Sequence, residues 1–201
     1  MTDSYLTITH PASAHHRVKG SKFIGKAFPV QSPETAEYKI SEVKREYHDA
    51  THNCSAYRTG IGDDALFYYD DDGEPSGTAG QPMFQVIEGR ELTNVLVVVT
   101  RYFGGTKLGT GGLIRAYGTT AGLTLDNAEI VREHLQHLFH LHTTYEDIAA
   151  VMRSVNSSGG RVIRQDYGEE IDLTVAIRLS KKEEFRRIVT DLTGGRIQFG
   201  G

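Results

Sequence analysis

The chain has 201 residues and a net charge of -4, with 38% hydrophobic and 24% charged residues. That length predicts one or two domains, and the composition is that of an ordinary soluble globular protein. No apolar stretch approaches the ~20 residues of a membrane span, and the mildly acidic balance argues against a dedicated nucleic-acid binder while leaving room for a local basic surface.

Cys54 stands alone, so no internal disulfide is available, which fits a reducing cytoplasm. Met1 to Ala14 lacks the apolar core of a signal peptide, which points the same way. After a polar start, Lys22 to Val30 reads as a strand, with Pro29 favouring an edge or a strand end. Ser32-Pro33-Glu34 then opens a helix, and Ala36, Ile40, Val43 and Tyr47 recur at helical spacing as far as about His48. Thr51 to Arg58 is a strand with His52, Cys54, Ala56 and Arg58 on one face and Asn53, Ser55 and Tyr57 on the other. Leu66 to Tyr69 is a short strand, and Pro82 to Ile87 a short helix ending near Gly89.

Asn94 to Thr100 shows no polar alternation, so it reads as a strand covered on both faces. Glycine-rich loops flank it. The first runs from Asp71 to Gly80 and the second from Arg101 to Gly112, and the second leads into a long helix starting near Leu113. Glycine at this density suits a backbone that must turn with positive φ or approach something closely. From about Glu133 the pattern changes. Leu135 to His142 is a strand, followed by a helix capped by Thr144 and ended at Gly159-Gly160. The strands Arg161–Tyr167 and Ile171–Leu179 come next, then a capping box at Ser180 to Glu183, a helix to Gly194, and a last strand from Arg196 to Phe199. This is the β-α-β-β-α-β order of a ferredoxin-like domain, a superfold that does not specify function.

The second glycine loop would aim free backbone N–H groups of Gly109, Gly111 and Gly112 at one spot, with Arg101, Lys107 and Arg115 adding charge, which suits an anion. It is neither a Walker loop nor a dinucleotide fingerprint, because no Lys-Ser/Thr follows Gly109 and Ile114 stands where the last glycine would be. In the first loop Asp71, Asp72 and Glu74 offer oxygens to a hard cation such as Mg²⁺, although the spacing is not that of an EF-hand and Asp-Asp-Gly-Glu-Pro is equally good turn chemistry. His48, His52 and Cys54 lack a fourth partner for zinc. A Cys54 nucleophile beside His52 has the right face, but nothing in the sequence orients the base. His134, His137, His140 and His142 divide between two strand faces.

Taken together, Ala50-Thr51-His52-Asn53-Cys54, Asp71 to Gly80, Val99 to Gly109 and Gly112 to Tyr117 strongly resemble the IMPACT/YigZ family over roughly residues 17 to 126. The resemblance implies an α+β protein. Its N-terminal α/β domain (residues 1–132) would be like the second domain of a small-subunit ribosomal protein, and residues 133–201 would form the ferredoxin-like domain. That first superfold includes RNA-binding translation proteins and small-molecule kinases with a glycine-rich phosphate loop. The eukaryotic relatives resemble regulators of translation under stress, acting partly through an extra domain this sequence is not expected to carry. No catalytic residue set carries over. Gln81 departs from the family pattern, which leads us to expect a basic residue there.

Two readings follow. The first is a non-enzymatic regulatory module linked to translation, contacting RNA or a ribosome-associated protein through a cleft framed by the glycine loops, with His52, Asn53, Asp71, Asp72, Glu74, Ser76 and Thr78 as cleft candidates. The second is an enzyme or sensor for a phosphorylated small molecule or nucleotide, possible with Mg²⁺, if acids and cations meet across one cleft. The first is preferred, because no motif names a base or a nucleophile.

Overall fold

The computed structural model describes residues 3–200. The chain divides into two compact units, one of them Tyr5–Glu133 and the other gathering Asp3 and Ser4 with the chain from His134 onward. Apart from the strand-end residues Ser4 and His134, the first unit contains β1 (Ser4–Ile8), β2 (Ala12–Val18), β3 (Ser21–Pro29), α1 (Pro33–Glu46), β4 (His52–Thr59), β5 (Leu66–Asp70), α2 (Gly80–Gly89), β6 (Val95–Tyr102), α3 (Thr110–Asp126) and β7 (Ile130–His134). Five strands form an antiparallel sheet in the order β2-β3-β6-β4-β5, while β1 and β7 make a separate ribbon.

Central β6 explains its own sequence. Val95, Val97 and Val99 pack with Met83, Ile87, Leu113, Tyr117 and Leu125 of α2 and α3, while Leu96 and Val98 pack with Ala36 and Val43 of α1. Helices cover the sheet on both sides, so both faces of this strand are apolar. The helix α1 starts where the sequence predicts. The Ser32 hydroxyl accepts from the Thr35 N–H, and the Ser32 N–H donates to the Thr35 hydroxyl. Pro29 closes β3, which is an interior strand.

The second unit contains β8 (Gln136–Thr143), α4 (Ile148–Ser157), β9 (Arg161–Tyr167), β10 (Ile171–Arg178), α5 (Lys182–Leu192) and β11 (Gln198–Phe199). Its antiparallel sheet has the order β11-β8-β10-β9, the arrangement of a ferredoxin-like fold. Phe139 and Leu141 on β8 and Leu173, Val175 and Ile177 on β10 share a core with Val151, Val155, Phe185 and Val189 from the two helices.

Several local expectations shift. The polar start holds two strands, β1 and β2, and α3 opens at Thr110 rather than near Leu113. The N-cap of α4 is Asp147, not Thr144, whose carbonyl instead accepts from the Asp147 and Ile148 N–H groups. Ser180 caps nothing. It sits in a 3-10 turn, Leu179–Lys181, and donates its N–H to the Asp3 carboxylate, so α5 opens one residue later, at Lys182, without a side-chain cap.

Candidate functional site

Three strands bring the site's first residues into line. Arg101, at the end of β6, stands between Phe23 of β3 and His52 of β4, its register partners on either side. The first glycine loop then folds over this end of the sheet and lowers Glu74 onto Arg101. The guanidinium donates to Glu74 Oε1 at 2.6 Å, and the Tyr117 hydroxyl on α3 donates to the same oxygen at 2.8 Å. Both charged side chains are almost completely buried. A buried ion pair persists only where further hydrogen bonds and packing support it. Here Tyr117 supplies a bond, Ser21 accepts a longer one from Arg101, and the rings of Phe23 and Phe103 each lie 5.6 Å from the guanidinium carbon. The Arg101 Nε has no hydrogen-bond partner.

His52 is held by its Nδ1, 2.8 Å from the Asp72 carbonyl oxygen. A carbonyl only accepts, so Nδ1 carries the proton and Nε2 turns toward Glu74 Oε2 at 3.9 Å. The structure therefore supplies the orienting group that the sequence left out. It does not make Cys54 a nucleophile. The Cys54 thiol donates to the Asp71 carbonyl at 3.0 Å, and burial pushes its pKa far above the ordinary thiol range. Burial likewise raises Tyr117, reinforced by neighbouring Cys54, so its hydroxyl stays a donor.

The two loops frame one cleft of about 410 Å³. Thr51, His52, Glu74, Pro75 and Arg101 form one side, and Phe103, Lys107, Leu108, Gly109, Thr110 and Leu113 the other. Gly109 has φ 71°, a left-handed turn that glycine tolerates, and it hands the chain into α3. The first intrahelical bond of α3 runs from the Leu113 N–H to the Gly109 carbonyl, leaving the N–H groups of Thr110, Gly111 and Gly112 without intrahelical acceptors at the positive end of the helix dipole. Lys107 is exposed on the same rim, as is the Phe103 ring at 48%. Gly104, beside it, approaches Gly20 so closely that an added Cβ would lie 1.8 Å from the Gly20 carbonyl carbon.

Of the residues singled out in the sequence, Arg101, Lys107, Gly109, His52 and Glu74 line this cleft. Gly111, Gly112 and Arg115 lie in the first turns of α3. The other acids have different work. Asp71 Oδ1 accepts from the Ala79 and Gly80 N–H groups and Oδ2 from Gly77, so this carboxylate caps the start of α2. Asp72 Oδ1 accepts from Lys44 and Oδ2 from the Asn53 N–H. Asn53 is turned to Thr100 and Tyr47, Thr78 bonds the Pro75 carbonyl, and Ser76 is exposed. With both aspartates engaged by N–H groups and a lysine, the donor set does not suit Mg²⁺. Among the described residues no three His, Cys, Asp or Glu side chains gather as a metal site. Sequence reasoning did not single out Tyr117 or Phe103. Signals existed in a tyrosine on an apolar helix face, whose hydroxyl needs a partner, and an aromatic ring within a glycine loop.

The first unit is thus a helix-covered antiparallel sheet carrying a two-loop cleft, and the second a ferredoxin-like domain. Comparison with known proteins gives that class its family. The Impact N-terminal domain matches residues 19–125, and a domain of unknown function (DUF1949) matches residues 141–196. The chain belongs to the IMPACT family. It is 35% identical over 196 residues to the IMPACT family member YvyE of Bacillus subtilis, covering 98% of this chain and 90% of that one. It is 32% identical over 197 residues to the IMPACT family member YigZ of Escherichia coli, covering 98% and 97%. A crystal structure titled only as that of a hypothetical protein matches with a TM-score of 0.74 at 32% identity, over 99% of this chain and 97% of that chain. Among the described residues no helix is long and apolar enough to cross a membrane.

Proposed function

We propose that this chain is a regulatory binding protein linked to translation and that its cleft binds RNA. The translation link rests on what the family resemblance implies for the eukaryotic relatives. The ligand rests on one observation: Lys107, the exposed Phe103 ring and the unbonded first-turn N–H groups of α3 share one cleft rim. A phosphate takes the cation and the N–H donors, and a neighbouring unstacked base takes the aromatic face. The buried Arg101–Glu74–Tyr117 network holds the floor rigid without adding net charge. Filter binding with structured ribosomal RNA tests this reading. Retention at low salt that weakens as salt rises supports it, and no retention at low salt refutes it.

The volume of about 410 Å³ favours a second reading, a phosphorylated small molecule held without Mg²⁺. A thermal-shift series with nucleotides and sugar phosphates separates the two. A ligand that binds only the native state raises the melting temperature, and an unmoved transition at millimolar ligand removes this alternative.

A further inference from the structure

Away from the cleft, β5 is the outermost strand of the five-stranded sheet and pairs only with β4 among the described residues. Four consecutive large side chains on it are exposed: Leu66 at 56%, Phe67 at 63%, Tyr68 at 45% and Tyr69 at 41%. The aromatic ones are held in place. Phe67 stacks on Phe84 with ring centroids 5.0 Å apart, Tyr69 leans on the same ring at 6.1 Å, and Tyr68 stacks on Tyr57 at 5.3 Å. Proteins usually blunt such an edge with lysine, proline or a bulge. Leu66 to Tyr69 contains no lysine or proline, and its register with β4 is unbroken.

We propose that the β5 edge docks an extended, basic segment of a partner protein by strand addition. The outer donors and acceptors of an edge strand suit another strand, and alternate side chains of that strand would meet the ordered rings. Charge selects the occupant. Asp63 and Asp64 are exposed in the 3-10 turn just before β5, and Asp70 ends the strand. Glu37 shares a shallow groove with Tyr68, Asp70 and Lys44, and Lys44 already pairs with Asp72 at 2.6 Å and lies 3.8 Å from Asp70. Besides Lys44, Arg58 on β4, opposite Phe67, is a cation near this edge, and Asp63, Asp64, Asp70 and Glu37 outnumber the two. RNA meets repulsion here, and a second copy of this chain brings the same acids to its own edge. This surface is separate from the cleft and does not depend on the RNA reading.

The test uses the full chain and three labelled synthetic peptides, followed by fluorescence anisotropy: alternating Lys-Val, alternating Glu-Val, and Lys-Val with prolines on its pairing side. The Lys-Val peptide is expected to bind with an affinity that falls with salt, and the other two to bind at least about tenfold more weakly. Phe67→Lys is expected to weaken Lys-Val binding by about tenfold or more, and Asp63→Asn with Asp64→Asn to weaken it by a smaller factor. The double variant decides the matter if Phe67→Lys fails to fold. Equal binding of all three peptides, no binding of Lys-Val, or indifference to these substitutions overturns the proposal. So does displacement of the peptide by an oligonucleotide, or a dimer in sedimentation that Phe67→Lys disperses. RNA retention by folded Phe67→Lys is expected to match the parent chain, which separates failure at this edge from failure at the cleft.

Discussion

Arg101 and Glu74 are buried together, with 6% and 3% of their side chains exposed, so each needs the other. Arg101→Met leaves the carboxylate buried without its cation and is expected to cost about 3–5 kcal/mol in urea denaturation. Adding Glu74→Gln to it removes the stranded charge and is expected to recover much of that loss, a coupling readable as a double-mutant cycle. Asp71 makes a different kind of contribution, because its oxygens hold three N–H groups at the start of α2. Asp71→Ala is expected to destabilise the chain by about 2 kcal/mol, the upper end for a lost cap. A melting temperature that rises with Mg²⁺ in the parent chain but not in Asp71→Ala would contradict this capping role. Cys54 gives a chemical check. Its thiol is buried and its pKa raised, so it remains a neutral thiol at pH 8. Iodoacetamide is expected to leave it unmodified in the native chain and to alkylate it in urea, and rapid native alkylation would refute this.

At the scale of elements, the close approach of the second loop to the β2–β3 turn sets the cleft's outer wall. Gly104→Ala places a Cβ against Gly20 backbone, and the forced backbone shift is expected to cost about 1–3 kcal/mol and to weaken cleft binding. In the second unit Asp147, at the head of α4, takes a two-pronged contact from Arg196, and this holds its carboxyl below the usual range. A depressed carboxyl contributes stability that is fully present above its unfolded value, about pH 4, and is lost as pH falls through the folded value. Asp147→Asn is therefore expected to flatten the acid limb of unfolding monitored on the second unit, and an unchanged limb would count against the contact.

Across the whole molecule, what was legible in the sequence is what short-range pattern records. The unbroken apolar run of β6 announced a strand covered on both faces, and the Ser32 box announced α1. The strands β1 and β2 went unread because β1 is only five residues long and the inward positions of β2 fall on the small Ala12 and Ala14 and on His16, so neither gives a run of large β-forming side chains. Caps failed at Thr144 and Ser180, where tertiary partners, Arg196 for Asp147 and Asp3 for the Ser180 N–H, decided the local geometry. The same limit applies to the cleft. Glycine spacing marked both loops, but Glu74, Arg101 and Tyr117 meet from three distant segments, and no local pattern says that Asp71 faces a helix start while Glu74 faces the sheet.

The central claim is that the cleft rim binds RNA through Lys107, Phe103 and the start of α3. The most direct measurement is the salt dependence of RNA affinity for the parent chain, Lys107→Ala and Phe103→Ala, each checked for an unchanged melting temperature. The parent affinity is expected to fall linearly with the logarithm of salt concentration, Lys107→Ala to bind more weakly with a slope smaller by about one, and Phe103→Ala to lose about 1–3 kcal/mol with its slope intact. Parent-like affinity and slope in both variants would contradict it.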